Sequence, residues 1–133
     1  MSKIVSISEA ASIGLHAMVL IAKSDDGNIN ANIISETTGA SKNHISKVMQ
    51  RLVKDGLVKS MRGPTGGFQL NKKPEEISML DVYEAIEGKV KIDECPLGHK
   101  ICPFNKCLVD GIIHKITSEL AEYLKKHTLK DYL

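Results

Sequence analysis

Apolar side chains recur at three- and four-residue intervals between Ser6 and Ala22, at Ile7, Ala10, Ala11, Leu15, Met18, Val19 and Ala22, which is the spacing of one helical face. Ser6 followed by Glu9 has the form of a capping box at its start. The turn-rich group Asp25-Asp26-Gly27-Asn28 ends this first helix. Asn32 to Thr38 has room only for a short second helix, closed by Gly39 in a left-handed cap position. Ser41 then caps a third helix running to about Val53. Its apolar positions Ile45, Val48, Met49 and Leu52 leave Lys42, Asn43, Ser46, Lys47 and Gln50 on the opposite and flanking faces. Past Asp55-Gly56 the period changes. Leu57 to Met61 reads as a strand, Arg62 to Gly67 as a loop and Phe68 to Leu70 as the returning strand of a hairpin. Towards the C-terminus, Val109, Ile112, Ile113, Ile116, Leu120 and Leu124 form an apolar stripe on a helix of about 20 residues, roughly 30 Å long.

Two short helices around Gly39-Ala40-Ser41 and a glycine-rich hairpin directly after them predict a mostly α fold with a small β-hairpin wing. That is a winged helix-turn-helix followed by a long C-terminal dimerisation helix. Taken alone, the helix pair also fits a plain αα-hairpin; the hairpin that follows favours DNA. Three glycines and a proline let its loop turn sharply and bring backbone close to a phosphate or groove wall, while Arg62 supplies a charge for the minor groove. The apolar stripe of the last helix is more than one small domain covers, although folding back on its own core would hide part of it. A two-fold dimer would bury it and present two recognition helices to successive major grooves.

Length and composition agree, since 133 residues with 42% hydrophobic content make one compact core rather than two. No run of about 18 apolar residues occurs, nor a basic-then-apolar leader, so a cytoplasmic protein is expected. The net charge of +2 conceals an uneven distribution. Residues 41 to 73 hold eight basic side chains against one acid, Asp55, and the rest holds ten basic and fifteen acidic ones, so the positive charge lies on the proposed reading surface. A solvated lysine face is the bland alternative for that helix on its own.

All three cysteines fall between Cys95 and Cys107, six residues separating the first pair and four the second. In a reducing compartment an odd, clustered set points away from a disulfide framework and towards metal or redox chemistry. Thiolates suit zinc, copper(I) or iron–sulfur centres. The absence of a CxxC pair disfavours a structural zinc site, with Cys3His ligation through His99 left open. A direct thiol switch needs only two of the three. An enzyme is not expected, because the chain has no Gly-rich nucleotide loop, no paired carboxylates in a recognisable motif and no Ser-His-Asp arrangement.

The run Arg62-Gly63-Pro64-Thr65-Gly66-Gly67-Phe68 resembles the wing signature RGPxGG followed by an aromatic residue. With the first helix, the helix-turn-helix, an Ile77 to Glu87 helix, the cysteine loop and the long last helix, the whole chain resembles the Rrf-type winged-helix transcriptional regulators, IscR-like and NsrR-like members among them. The resemblance implies a homodimeric transcription factor, usually a repressor, bound to an imperfect palindromic operator in double-stranded DNA. It implies sensing of redox, nitric-oxide or iron–sulfur status through a 2Fe-2S or 4Fe-4S cluster on Cys95, Cys102 and Cys107. The alternatives are a cluster-free thiol- or zinc-dependent regulator and a metal/thiol interaction module that does not bind DNA.

The fourth ligand is where the chain departs from those relatives. IscR-like members carry a histidine three residues after the third cysteine, where this chain has Asp110; NsrR-like members use a first-helix aspartate of the partner, where it has Ser12. Glu9 and His16 lie about one turn to either side of Ser12, so Glu9, His16, His99 and Asp110 are the candidates. For DNA, Asn43, His44, Lys47 and Arg51 are the expected base readers, with Ser41 and Lys42 contacting phosphate and Arg62, Thr65 and Gly66 in the wing. The expected division is a DNA-binding domain over 1–88, a cysteine-containing loop over 89–107, and a dimerisation helix and tail over 108–133.

Overall fold

Each of the first three helices begins on a side chain that takes up an otherwise unpaired backbone amide. The computed structural model describes residues 2–92, 103–109 and 111–133. Helix α1 spans Glu9–Lys23, α2 Ala31–Thr38 and α3 Lys42–Lys54. Ser8 Oγ accepts from Ala11 N at 3.1 Å, Asn30 Oδ1 from Ile33 N at 3.0 Å and Ser41 Oγ from His44 N at 3.1 Å. The α1 cap is therefore Ser8, and the predicted Ser6–Glu9 box does not form. Ser8 holds the extended conformation a cap requires, and Glu9 becomes the first helical residue, where its charge suits the helix dipole. Gly39 closes α2 at φ 75°, as its position between two helical periods predicts.

Strands β1, Val58–Met61, and β2, Gly67–Leu70, pair antiparallel from Val58 opposite Leu70 to Met61 opposite Gly67. Helix α4 spans Met79–Glu87, two residues shorter at its start than expected, because Ser78 caps it and Ile77 is still bonded to Pro74 in a 3-10 turn. Helix α5, Ile112–Lys126, has 15 residues, not about 20. Gly111, in the left-handed region at φ 73°, sets its start and leaves Val109 outside.

The core lies where α1 packs on α4 and α3, around Ile13, Ala17, Met18, Ile45, Met49, Leu52, Val82 and Ile86. Gly14 makes that approach possible, since a Cβ there would run into Ile86 Cδ1. After α5 the chain doubles back. His127 O accepts from Met79 N at 2.8 Å, Leu129 N donates to Ile77 O at 3.0 Å, and the Leu129 side chain is fully buried. Among the described residues no helix is long and apolar enough to cross a membrane.

Candidate nucleic-acid interface and cysteine loop

Helix α3 is divided cleanly by burial. Ile45, Val48, Met49 and Leu52 are in the core, while Lys42, Asn43, Ser46, Lys47 and Gln50 are exposed together. The hydrophobic effect thus fixes the helix by one face and turns amide, hydroxyl and ammonium groups outward on the other. His44 is half-buried, its Nδ1 3.6 Å from Glu9 Oε1, an ion pair when the imidazole is protonated. Ser41 is exposed and already occupied as the cap.

Arg51, also among the expected base readers, makes a contact within the chain. Its Nη1 donates to Ile86 O at 2.8 Å, satisfying one of the last carbonyls of α4 and bracing α3 against it. Arg51 is exposed and lies four residues after Lys47, so it shares the face of Asn43 and Lys47 while one of its N–H groups reaches α4.

The wing carries Arg62 and Thr65 exposed and Gly66 half-buried. Gly63 turns the loop at φ 105°, and Gly66 N donates to Gly63 O at 2.9 Å. A Cβ on Gly66 would lie 2.6 Å from Met61 O, so the tip stays narrow only with glycine there. Lys59, Lys72 and Lys73 are exposed around the hairpin. Sequence reasoning missed the support behind it. Ile29 pairs with Phe68 as a third, one-residue strand, and Asn28 Nδ2 donates to Thr65 O at 2.8 Å. No local pattern signals contacts between positions so far apart.

Of the expected metal ligands, Cys95, His99, Cys102 and Asp110 lie outside the described residues. Cys107 is exposed. Glu9 is exposed beside His44, and the exposed His16 has Nδ1 2.6 Å from Ser12 O. A carbonyl only accepts, so Nδ1 carries the proton and the neutral ring keeps its lone pair on Nε2, the tautomer a ligating imidazole needs. Among the described residues no three ligand-type side chains converge. A groove of about 260 Å³ runs between α4, α5 and the N-terminal segment, lined by Ile4, Val5, Tyr83, Ile113, Ile116 and Leu120 among others.

A two-helix reading unit, a hairpin wing and a core shared among them define a winged helix-turn-helix protein. The chain belongs to the Rrf2 family, whose model, described as an iron-dependent transcriptional regulator, matches residues 7–133. It is 34% identical over 124 residues to the transcriptional regulator NsrR of Bacillus subtilis, covering 88% of this chain and 82% of that one. To IscR of Pectobacterium atrosepticum it is 31% identical over 109 residues, covering 81% and 66%. Among solved structures it resembles CymR, the global cysteine regulator of B. subtilis, with a TM-score of 0.74 at 26% identity over 96% of this chain and 95% of that one. IscR of T. potens is as similar, with a TM-score of 0.74 at 27% identity over 96% and 85%. The chain is a transcriptional regulator and not an enzyme.

Proposed function

We propose that two copies of this chain form a cytoplasmic homodimeric repressor that reads an imperfect palindrome in double-stranded DNA and answers to a cysteine-ligated iron–sulfur cluster. The observation carrying the DNA part is the exposed polar and basic face of α3 beside a wing bearing Arg62. Asn43 and Lys47 match adenine and guanine edges in the major groove, His44 and Arg51 are the further base readers, and Lys42 and Ser41 contact the flanking phosphates. Arg62 and Thr65 reach the adjacent minor groove or its phosphates, with Gly66 keeping the tip narrow. The dimer is supported by α5, where Ile112 and Leu120 stay 47% and 37% exposed on an apolar stripe. The division of labour is then DNA reading by residues 1–88, sensing by 89–107 and dimerisation by 108–133.

The donor chemistry suits a cluster: Cys107 and His16 are exposed, and with Nδ1 on the Ser12 carbonyl the ligating nitrogen of His16 would be Nε2. Cys95, Cys102 and Cys107 would hold iron through thiolate sulfur, and Glu9, His16, His99 or Asp110 would complete the set. When bound, the cluster supplies a redox-active iron centre. An α1 donor, set on a partner's loop, would link that centre to the helix on which α3 packs. A small pivot between subunits then moves two recognition helices off their spacing of about 34 Å.

The test is an anaerobic visible spectrum with iron and sulfide analysis of the parent and of Cys95→Ala, alongside binding to selected palindromes. Broad visible absorption lost in the variant, with altered operator affinity, supports the cluster-controlled regulator. Zinc or no metal after anaerobic reconstitution, with DNA binding intact, moves sensing to the thiols. Failure to bind any DNA sinks the regulator reading and leaves a thiol or metal interaction module.

A further inference from the structure

The geometry points to Asn28, in the turn between α1 and α2, as a positioning residue for DNA binding: it latches the wing tip and so fixes where Arg62 stands relative to α3. This rests on the DNA-reading assignment above and adds a residue outside both the helix-turn-helix and the hairpin.

A two-stranded hairpin of four-residue strands is marginal by itself and needs a third partner to hold its direction. The α1–α2 turn provides one at two levels. Along β2, Ile29 N donates to Phe68 O at 3.1 Å and Phe68 N to Ile29 O at 2.7 Å, a reciprocal pair. Nearer the tip, where no backbone pairing continues, the Asn28 side chain takes over and donates to Thr65 O at 2.8 Å. Thr65 lies three residues from Arg62, across a turn closed by the Gly66-to-Gly63 bond, so holding its carbonyl holds the loop that carries the arginine.

Asn28 is itself held. Its backbone N donates to Asp26 Oδ1 at 3.1 Å, and that oxygen also accepts from Ser24 Oγ at 2.6 Å. Ser24 is the C-cap of α1, and α1 packs on α3 in the core, so the chain of contacts runs from the recognition helix through α1 to the wing tip. The close fit of turn and wing shows at Gly67, where a Cβ would fall 2.7 Å from both Asn28 Oδ1 and Ile29 O. Asn28 Oδ1 is buried without a hydrogen-bond partner, a cost that the amide's other end and the packing around it must offset. An alanine would lose the donor and free the tip; a side chain on Gly67 would push turn and wing apart.

The test is binding of the full-length chain to a selected palindrome across a salt series, for Asn28→Ala, Arg62→Ala and their double variant, with Lys47→Ala as the check on DNA reading and Gly67→Ala as a second way to open the latch. Asn28→Ala is expected to weaken operator binding by about fivefold to tenfold. Although Asn28 is uncharged, its loss should lower the salt slope by about one, because Arg62 no longer reaches its phosphates. The double variant should bind no more weakly than Arg62→Ala, and Gly67→Ala should show the same slope. An unchanged slope, or losses that multiply in the double variant, overturns the latch, since a residue serving only fold stability would give those results. If Lys47→Ala and Arg62→Ala lose binding while Asn28→Ala does not, the latch alone falls. Should all three bind as the parent does, the DNA-reading assignment falls and the latch with it.

Discussion

Helices α3 and α5 carry the same kind of pattern and meet different surroundings. Each repeats apolar residues at three and four positions, yet α3 buries four of them whereas Leu124 alone is buried among the described residues of α5. Amphipathic spacing specifies that a helix has a face to hide and is silent on what hides it. For α3 the cover is α1, α2 and α4 of the same chain. Helix α5 packs on α4, and its stripe lines the groove with Ile4 and Val5, Ile113 and Ile116 half-buried and Ile112 and Leu120 exposed. The apolar face of α3 is covered within one chain, and that of α5 is covered only in part among the described residues.

The largest expected effect tests the closed side. Leu52→Ala empties a fully buried position and should cost about 2–5 kcal/mol, read from urea unfolding of the variant against the parent. Leu120→Ala, measured at a concentration where the chain is monomeric, should cost much less, because Leu120 is already 37% exposed there. Equal losses would mean that α5 finds its cover within the chain, and the contrast between the helices would vanish.

Assembly is the next largest effect. Leu120→Glu places a charge in the apolar stripe and should leave a folded monomer by sedimentation. Binding to a full palindrome should fall by roughly 100-fold or more through lost bivalency, while a single half-site is bound as before. A variant that stays dimeric would remove α5 from the interface.

What could be read from the sequence divides along the same line. Gly39, Ser41 and the Gly63–Gly67 run were legible because a cap or turn is settled by residues a few positions apart. Ser8 shows the resolution of such reasoning: two serines stood near the start of α1, and the backbone conformation of the second decided between them. Contacts spanning the chain were not legible. Arg51 sits at a position compatible with base reading, and only the packing of α4 against α3 brings the Ile86 carbonyl, 35 residues away, within reach. Asn28 looks like a turn residue until the wing, 37 positions later, folds onto it. Leu129 lies past the periodic pattern, so nothing local marks it as the anchor that returns the tail to Ile77. For the expected cluster, the sequence offers three clustered cysteines as candidates, whereas a fourth ligand would depend on a juxtaposition that periodicity does not encode.

A smaller effect contrasts how the two helices start. Ser41→Ala removes the α3 cap and should cost about 1 kcal/mol, with Ser41→Gly costing only a few tenths, both from urea midpoints. Helix α5 starts on Gly111 without a side-chain cap, so its N-terminus holds no equivalent bond to lose. If Ser41→Ala were neutral for stability, the serine would be retained for phosphate contact alone.

The smallest effects come from pH, and each end of the scale probes one region. In the DNA-reading half, the hydrogen bond from Ser24, and then that from the Asn28 backbone, hold the Asp26 carboxyl below its usual range. A depressed folded-state pKa stabilises above the unfolded value and loses that contribution as pH falls through the folded one. The urea midpoint of the parent should therefore approach that of Asp26→Asn below about pH 4, the ordinary carboxylate range. At the other end of the chain, partial burial, followed by a side-chain hydrogen bond with Tyr123, pushes the Tyr132 phenol up. A raised tyrosine pKa has the opposite sign: the neutral form is favoured in the fold, and its contribution is lost as pH rises above about 10. Tyr132→Phe should be the less stable protein at neutral pH, with the gap closing in alkali. Acid that erased the Tyr132 difference, or alkali that erased the Asp26 difference, would show that these differences do not arise from the titrations of the two groups.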